Sequence, residues 1–125
     1  MILRRQTSLV TVGNLKVGSG NLISVQSMTN SKTTDVKATL EQIERCHAAG
    51  VDIMRVSVPD RESATAFKEI AANSPVPLVA DIHFHHMRGV EAAQNGAACL
   101  RINPGTLGKK ENALDIIKAA KDYDC

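Results

Sequence analysis

Gly50-Val-Asp-Ile-Met-Arg-Val56 and Gly96-Ala-Ala-Cys-Leu-Arg-Ile102 are two copies of one pattern. Each begins with a glycine, continues into a short apolar run and carries an arginine five residues after the glycine. A glycine just past a periodic segment is the usual stop of a helix, because it alone takes the left-handed backbone without a Cβ penalty. A run rich in Val, Ile and Leu right after it is a strand buried on both faces. The pattern therefore reads as helix, stop, strand, and it occurs twice.

Outward from this pair, the chain shows four strand-then-helix units. The strands are predicted at Leu22–Met28, Asp52–Val58, Pro77–His83 and Ala98–Asn103. The first helix is predicted from about Thr34 to Ala49, with Val36, Leu40, Ile43 and His47 on its inner face. The second starts at Asp60, a good N-cap, and buries Ala64, Phe67, Ile70 and Ala71. The third turns Met87, Val90 and Ala93 inward and stops at Gly96; the fourth carries Leu114, Ile117 and Ala120 and reaches Tyr123. Ahead of them, Ser8–Val12 and Leu15–Val17 flank Gly13-Asn14 and read as a hairpin.

Strict strand–helix alternation with short links implies a parallel sheet with right-handed crossovers. No G-x-G-x-x-G follows the first strand, so the dinucleotide fingerprint of an open doubly wound sheet is missing. Polar residues stand at the C-terminal end of every strand, where barrels place their sites. The expected fold is α/β, a (β/α) TIM-type barrel. A complete one needs roughly 250 residues, so these 125 are expected to form its first half only. Residues 1–125 are then the N-terminal part of a substrate-binding barrel domain.

Composition narrows the partners. Fifteen Lys and Arg stand against thirteen Asp and Glu, with no basic stripe for nucleic acid. Aromatic residues are too scarce for base-stacking platforms. No run approaches the roughly 18 apolar residues of a membrane span, and Met1-Ile-Leu-Arg-Arg5 lacks a signal-peptide core. Cys46, Cys99 and Cys125 form no C-x-x-C pair, which fits reduced thiols in the cytoplasm.

Side chains alternate faces along a strand. If Arg55 points inward, so does Ser57; if Arg101 does, so does Asn103. Asp81 and His83 share one face of the third strand, and Gln26 and Met28 one face of the first. An ordinary barrel interior is filled with Val, Ile and Leu, and burying two guanidinium groups without anions is costly. An anion site answers this, since Arg offers planar bidentate donors that fit phosphate oxygens. The competing possibility is a scaffold in which Arg55 or Arg101 pairs with Asp81. Asp81-x-His83 with His85 and His86 nearby could instead hold a metal, although His85 and His86 lie past the strand, where a helix cap accounts for them. Ser27, Thr29 and Asn30 are either mouth residues or loop chemistry. Gly105 and Gly108 allow a turn after the fourth strand. Arg88 is expected on the outer surface of the third helix.

Val25-Gln-Ser-Met-Thr-Asn30 with Thr33-Thr-Asp35, Arg55-Val-Ser-Val-Pro-Asp60, Leu78-Val-Ala-Asp-Ile-His-Phe84 and Leu100-Arg-Ile-Asn-Pro-Gly105 closely resemble the hydroxymethylbutenyl diphosphate synthases, in order and spacing. The resemblance implies an oxidoreductase of non-mevalonate isoprenoid biosynthesis. Such an enzyme reductively opens 2-C-methyl-D-erythritol 2,4-cyclodiphosphate to 4-hydroxy-3-methylbut-2-enyl diphosphate. It further implies electrons from flavodoxin or ferredoxin, a [4Fe-4S] cluster on a separate C-terminal domain, and a homodimer when full length. By the same resemblance Arg55 and Arg101 are diphosphate ligands, Asn103, His83 and Asp81 line the same mouth, and Gln26, Ser27 and Met28 form floor and rim. No residue is assigned to catalysis. The cluster domain's cysteines are absent, so residues 1–125 are expected to hold no metal and to be inactive alone. Two rivals remain at this stage: a pterin-binding barrel like dihydropteroate synthase, and a non-catalytic anion-binding module.

Overall fold

The computed structural model describes residues 1–125. A two-stranded antiparallel hairpin, β1 (Val10–Val12) and β2 (Leu15–Val17), precedes four strand–helix units. These are β3 (Gln26–Met28) with α1 (Val36–Ala48), β4 (Ile53–Ser57) with α2 (Arg61–Asn73), β5 (Leu78–Ile82) with α3 (His86–Gln94), and β6 (Cys99–Ile102) with α4 (Lys110–Asp122). The four strands form one parallel sheet in the order β3-β4-β5-β6.

The repeated glycines act as the sequence predicts. Gly50 and Gly96 have φ of +102° and +99°. After α1, Val51 N–H donates to the Cys46 carbonyl and Gly50 N–H to that of His47; after α3, Ala97 donates to Ala92 and Gly96 to Ala93. Both ends are Schellman motifs with the same two bonds. Asp35 and Asp60 cap α1 and α2, accepting from Ala38 and Ser63 N–H at 3.0 and 2.7 Å. In the hairpin turn Gly13 takes a φ of +61° and Asn14 does not, the pattern of a type II′ turn.

Strand parity separates two cores. Met54, Val56, Val58, Leu78, Ala80 and Ile82 face the helices and pack with Ile43, Phe67, Ile70, Ala92 and Ile116. The opposite face carries a small second core, in which Ile53 and Val79 meet Val12 of the hairpin, with Leu15, Val17 and Cys99 at its edge. The hairpin thus closes one end of the inner face. Sequential strand order with the helices on one face is the barrel arrangement, and four of eight strands are half of it.

Four expectations are corrected. The first strand is shorter than Leu22–Met28: it spans Gln26–Met28, and Leu22 and Ile23 are 91% and 83% exposed. The helix α3 buries Gly89, Ala92 and Ala93 and leaves Met87 exposed. A Cβ on Gly89 would lie 3.1 Å from Ile116 Cγ1 and 3.5 Å from Ile82 Cγ1, so the bare glycine lets α3 approach the sheet and α4 and sets the helix rotation. The helix α4 buries Ile116 and Ala119 and exposes Leu114 and Ile117; its apolar stripe is wider than the face it packs. On α1, Thr39 and Ile43 are buried and His47 is exposed.

Candidate anion-binding site

Arg55 and Arg101 are centred in β4 and β6, one strand to either side of Asp81 on β5. The register pairs Arg55 with Val79 and Val79 with Cys99, two residues before Arg101. That offset of two residues across two strands is the tilt of about one residue per strand that a shear of eight over eight strands requires. The two arginines therefore occupy one layer of the barrel, as the repeat suggests. By the same tilt, Met28 and Asp81 form the next layer toward the mouth.

Asp81 is 1% exposed. Its carboxylate is divided between the two guanidinium groups. Arg101 Nη1 donates to Oδ1 at 3.0 Å, and Arg55 Nε lies 3.2 Å from Oδ2. The Arg55 contact is ionic without an aligned hydrogen bond, so that Nε is buried with no acceptor. Arg55 Nη2 reaches Met28 Sδ at 3.4 Å. His83 Nε2 stands 3.8 Å from Asp81 Oδ2. Both guanidinium groups keep part of their surface open, 30% of the Arg55 side chain and 41% of the Arg101 side chain. One carboxylate cannot neutralise two guanidinium ions, so the cluster carries a surplus positive charge beside open space.

That space is a hollow of about 540 Å³ on the inner face, lined among others by Gln26, Ile53, Arg55, Val79, Cys99 and Arg101. A larger hollow of about 650 Å³ lies on the outer surface of α1, beside Lys37, Glu41, Glu44 and Glu69. Its mixed charges converge on no common point, and the inner hollow is the one with chemistry.

The remaining expected residues divide. Gln26 lines the hollow and Met28 touches Arg55. Ser27 lies on the opposite strand face, is exposed, and bonds to none of the cluster. Asn103 turns its Oδ1 onto the Gly105 N–H at 3.1 Å, so it shapes the loop after β6 rather than joining the arginines. His85 occupies the N-cap position of α3 without a side-chain bond, and His86 Nε2 lies 3.5 Å from Asp115 Oδ2 on α4. Arg88 is not free in solvent: only 18% of its side chain is exposed, and Nη2 meets Glu91 Oε1 at 3.1 Å.

Two residues escaped sequence reasoning. Thr33, in the loop before α1, donates its hydroxyl to the Ser57 carbonyl at 2.6 Å. Thr106, in the loop before α4, donates to the His83 carbonyl. Each ties a mouth loop to a strand end. A threonine in a loop carries no periodic signal; Thr33 stands out only as part of the Thr33-Thr-Asp35 match, with no role attached, and nothing marks Thr106.

The three cysteines do not fit a cluster. Cys46, Cys99 and Cys125 lie on α1, on β6 and after α4, and no three His, Cys, Asp or Glu side chains converge as metal ligands. Burial pushes the Cys99 thiol up, and burial, then Cys99 and Asp124, push up that of Cys125; a metal-binding sulfur needs the opposite, an accessible thiolate.

Comparison with known proteins gives a family match over residues 7–125, to the GcpE TIM-barrel domain. Among curated proteins, the chain is 59% identical over 125 residues to one from Caulobacter vibrioides, covering all of this chain and 33% of that protein. It is 56% identical over 124 residues to one from a Ruegeria species and 52% identical over 124 residues to one from Zymomonas mobilis, covering 99% of this chain and 33% of the relative in both cases. All three carry the name 4-hydroxy-3-methylbut-2-en-1-yl diphosphate synthase (flavodoxin). The chain spans about a third of the length of these relatives.

Proposed function

The chain belongs to the GcpE TIM-barrel family, and from that premise we propose that residues 1–125 supply the diphosphate-binding part of a 4-hydroxy-3-methylbut-2-enyl diphosphate synthase. The substrate is 2-C-methyl-D-erythritol 2,4-cyclodiphosphate, and the product is its reductively opened diphosphate. The observation that carries this is the surplus guanidinium charge: Asp81 orients both arginines through separate oxygens and leaves their outer N–H groups for a second anion. A diphosphate meets two forks better than a pterin does, whose amide ring needs one carboxylate and neutral donors.

In this proposal Arg55 and Arg101 hold the diphosphate, Asp81 orients them, Gln26 and Met28 form the floor, and His83 stands at the rim. Ser27 and Asn103 contribute through the backbone they shape. The remaining expectations go with it: a cytoplasmic enzyme, a homodimer when full length, and a [4Fe-4S] cluster bound outside residues 1–125. Flavodoxin is the electron donor, as the relatives' names say of them. The cluster supplies electrons; the residues here bind and orient the substrate.

The test is calorimetric titration with the cyclodiphosphate. Charge-assisted hydrogen bonds are worth about 1.5–3 kcal/mol each, so Arg55→Ala or Arg101→Ala should weaken binding roughly 10- to 150-fold. Arg→Lys should recover part of the loss, since an ammonium lacks the fork. Lys68→Ala, on the exposed surface of α2, should change nothing. Variants that fold and bind like the parent would make the arginines a scaffold for Asp81.

A further inference from the structure

The arm that enters β1 and the turn that leaves β2 meet at the open end of the hairpin, away from Gly13-Asn14. Ser19 N–H donates to Thr7 Oγ1 at 3.0 Å, and Arg4 Nη1 reaches the Asn21 carbonyl at 3.3 Å. The Asn21 side chain closes the turn onto the Gly18 carbonyl at 2.8 Å. Gly18 has to be bare: a Cβ there would lie 2.5 Å from the Ser8 carbonyl oxygen and 3.0 Å from Thr7 Oγ1. Ser19 follows it at a φ of +50°, between two glycines at +81° and +80°. A serine in that region is strained, and strain that the surroundings enforce gathers at ligand clamps and other functional sites.

Between arm and turn lies a hollow of about 550 Å³, lined by Arg4, Arg5, Gln6, Thr7, Ser19 and Gly20. Every one of these brings a hydrogen-bond donor, and none is a carboxylate. The Thr7 oxygen accepts from Ser19, which leaves its hydroxyl hydrogen to donate, and the Gly20 N–H bonds to nothing in the chain. Arg55, Arg88 and Arg101 each have a carboxylate within 4.0 Å; Arg4 and Arg5 have none. From this donor set we infer that the hollow is a second anion site. It takes a small free anion of the phosphate type, whose tetrahedral oxygens accept from several directions at once and fit the guanidinium fork.

This site is separate from the mouth. Arg55, Asp81 and Arg101 stand on the parallel sheet, whereas no residue of that sheet lines the second hollow. The hairpin that carries it closes the opposite end of the inner face, with Val12 seated on Ile53 and Val79. The inference is therefore independent of the diphosphate reading and can fail without it. Two exposed arginines on a free arm would be ordinary solvated side chains. Here the backbone beside them is fixed through Thr7, Ser8 and Asn21, and a fixed donor set loses less freedom when an anion binds. The charges stay open to solvent, so occupancy should fall as added salt screens them.

The test follows backbone amides by NMR while inorganic phosphate is added to the isotope-labelled chain at constant ionic strength. The Ser19 and Gly20 amides should move to saturation. Arg4→Ala with Arg5→Ala should raise the half-saturating concentration there about tenfold or more, and leave the amides around Arg101 responding as before. Arg55→Ala with Arg101→Ala should do the reverse. Gly18→Ala keeps both charges but undocks the arm, so it should lose the saturable response as well. Shifts that do not saturate, an equal response to acetate, or full affinity in Gly18→Ala would reduce the hollow to two surface charges and overturn the inference. Binding of phosphatidic acid vesicles without a response to free phosphate would overturn it too. Arg4 and Arg5 are exposed, so their double variant keeps the fold and decides alone if Gly18→Ala does not fold.

Discussion

The two faces of the four-stranded sheet differ in kind. The helix face is dry and apolar from end to end, Met54 to Val58 and Leu78 to Ile82. The inner face is apolar only at its base, where Val12 packs on Ile53 and Val79. Two residues further along each strand stand Arg55, Asp81 and Arg101. A barrel built for stability alone would continue with Val, Ile and Leu. The difference teaches that the helix face holds the molecule together, while the inner face gives up apolar packing to keep charges in place.

Substitutions can break that contrast. The largest effects should come from Phe67→Ala on the helix face and Asp81→Ala on the inner one. The first opens a cavity at a fully buried side chain and should cost about 3–5 kcal/mol. The second strands two partly buried guanidinium groups and should cost about the same, 3–5 kcal/mol, by urea unfolding at fixed protein concentration. The triple change Arg55→Met, Asp81→Leu, Arg101→Met separates the faces: a buried ion cluster replaced by apolar groups is often neutral or more stable, by about 1–4 kcal/mol. A triple variant that unfolds more easily than the parent would show that the cluster serves the fold.

Smaller effects sharpen the contrast at the mouth. Thr33→Val and Thr106→Val each remove one hydroxyl from a strand-end carbonyl and should lower stability by about 0.5–1.5 kcal/mol. Their effect on hydrogen exchange should be confined to the loops before α1 and α4. The smallest effect concerns pH. The Ser63 backbone N–H, then the Ser63 side chain, hold the Asp60 carboxyl below its ordinary value. A depressed carboxyl contributes stability above its unfolded pKa and loses it as pH falls through the folded one. Asp60→Asn caps without titrating, so it should leave the neutral-pH melting temperature nearly unchanged and flatten its decline in acid.

Much of this was legible in the sequence. The glycine-to-arginine repeat places both helix stops and both arginines, because Gly50 and Gly96 need a backbone that other residues resist and strand parity is strict. What stayed illegible depends on partners distant in sequence. The inward face of α3 is set by Gly89 lying against Ile82 and Ile116, which no helical period can announce. Arg88 is drawn into a pair with Glu91. The sharing of Asp81 between two arginines is visible only once β5 is known to lie between β4 and β6; the sequence foresaw one pair, and the structure has two.

The hairpin beneath the sheet has a consequence for kinetics. By seating Val12 on Ile53 and Val79, it puts a wall of low polarizability on one side of the arginine layer and leaves water on the other. Field lines from the surplus charge are then directed out through the mouth. Anions should be drawn in from that side, with an association rate that falls steeply as added salt shortens the Debye length below about 10 Å.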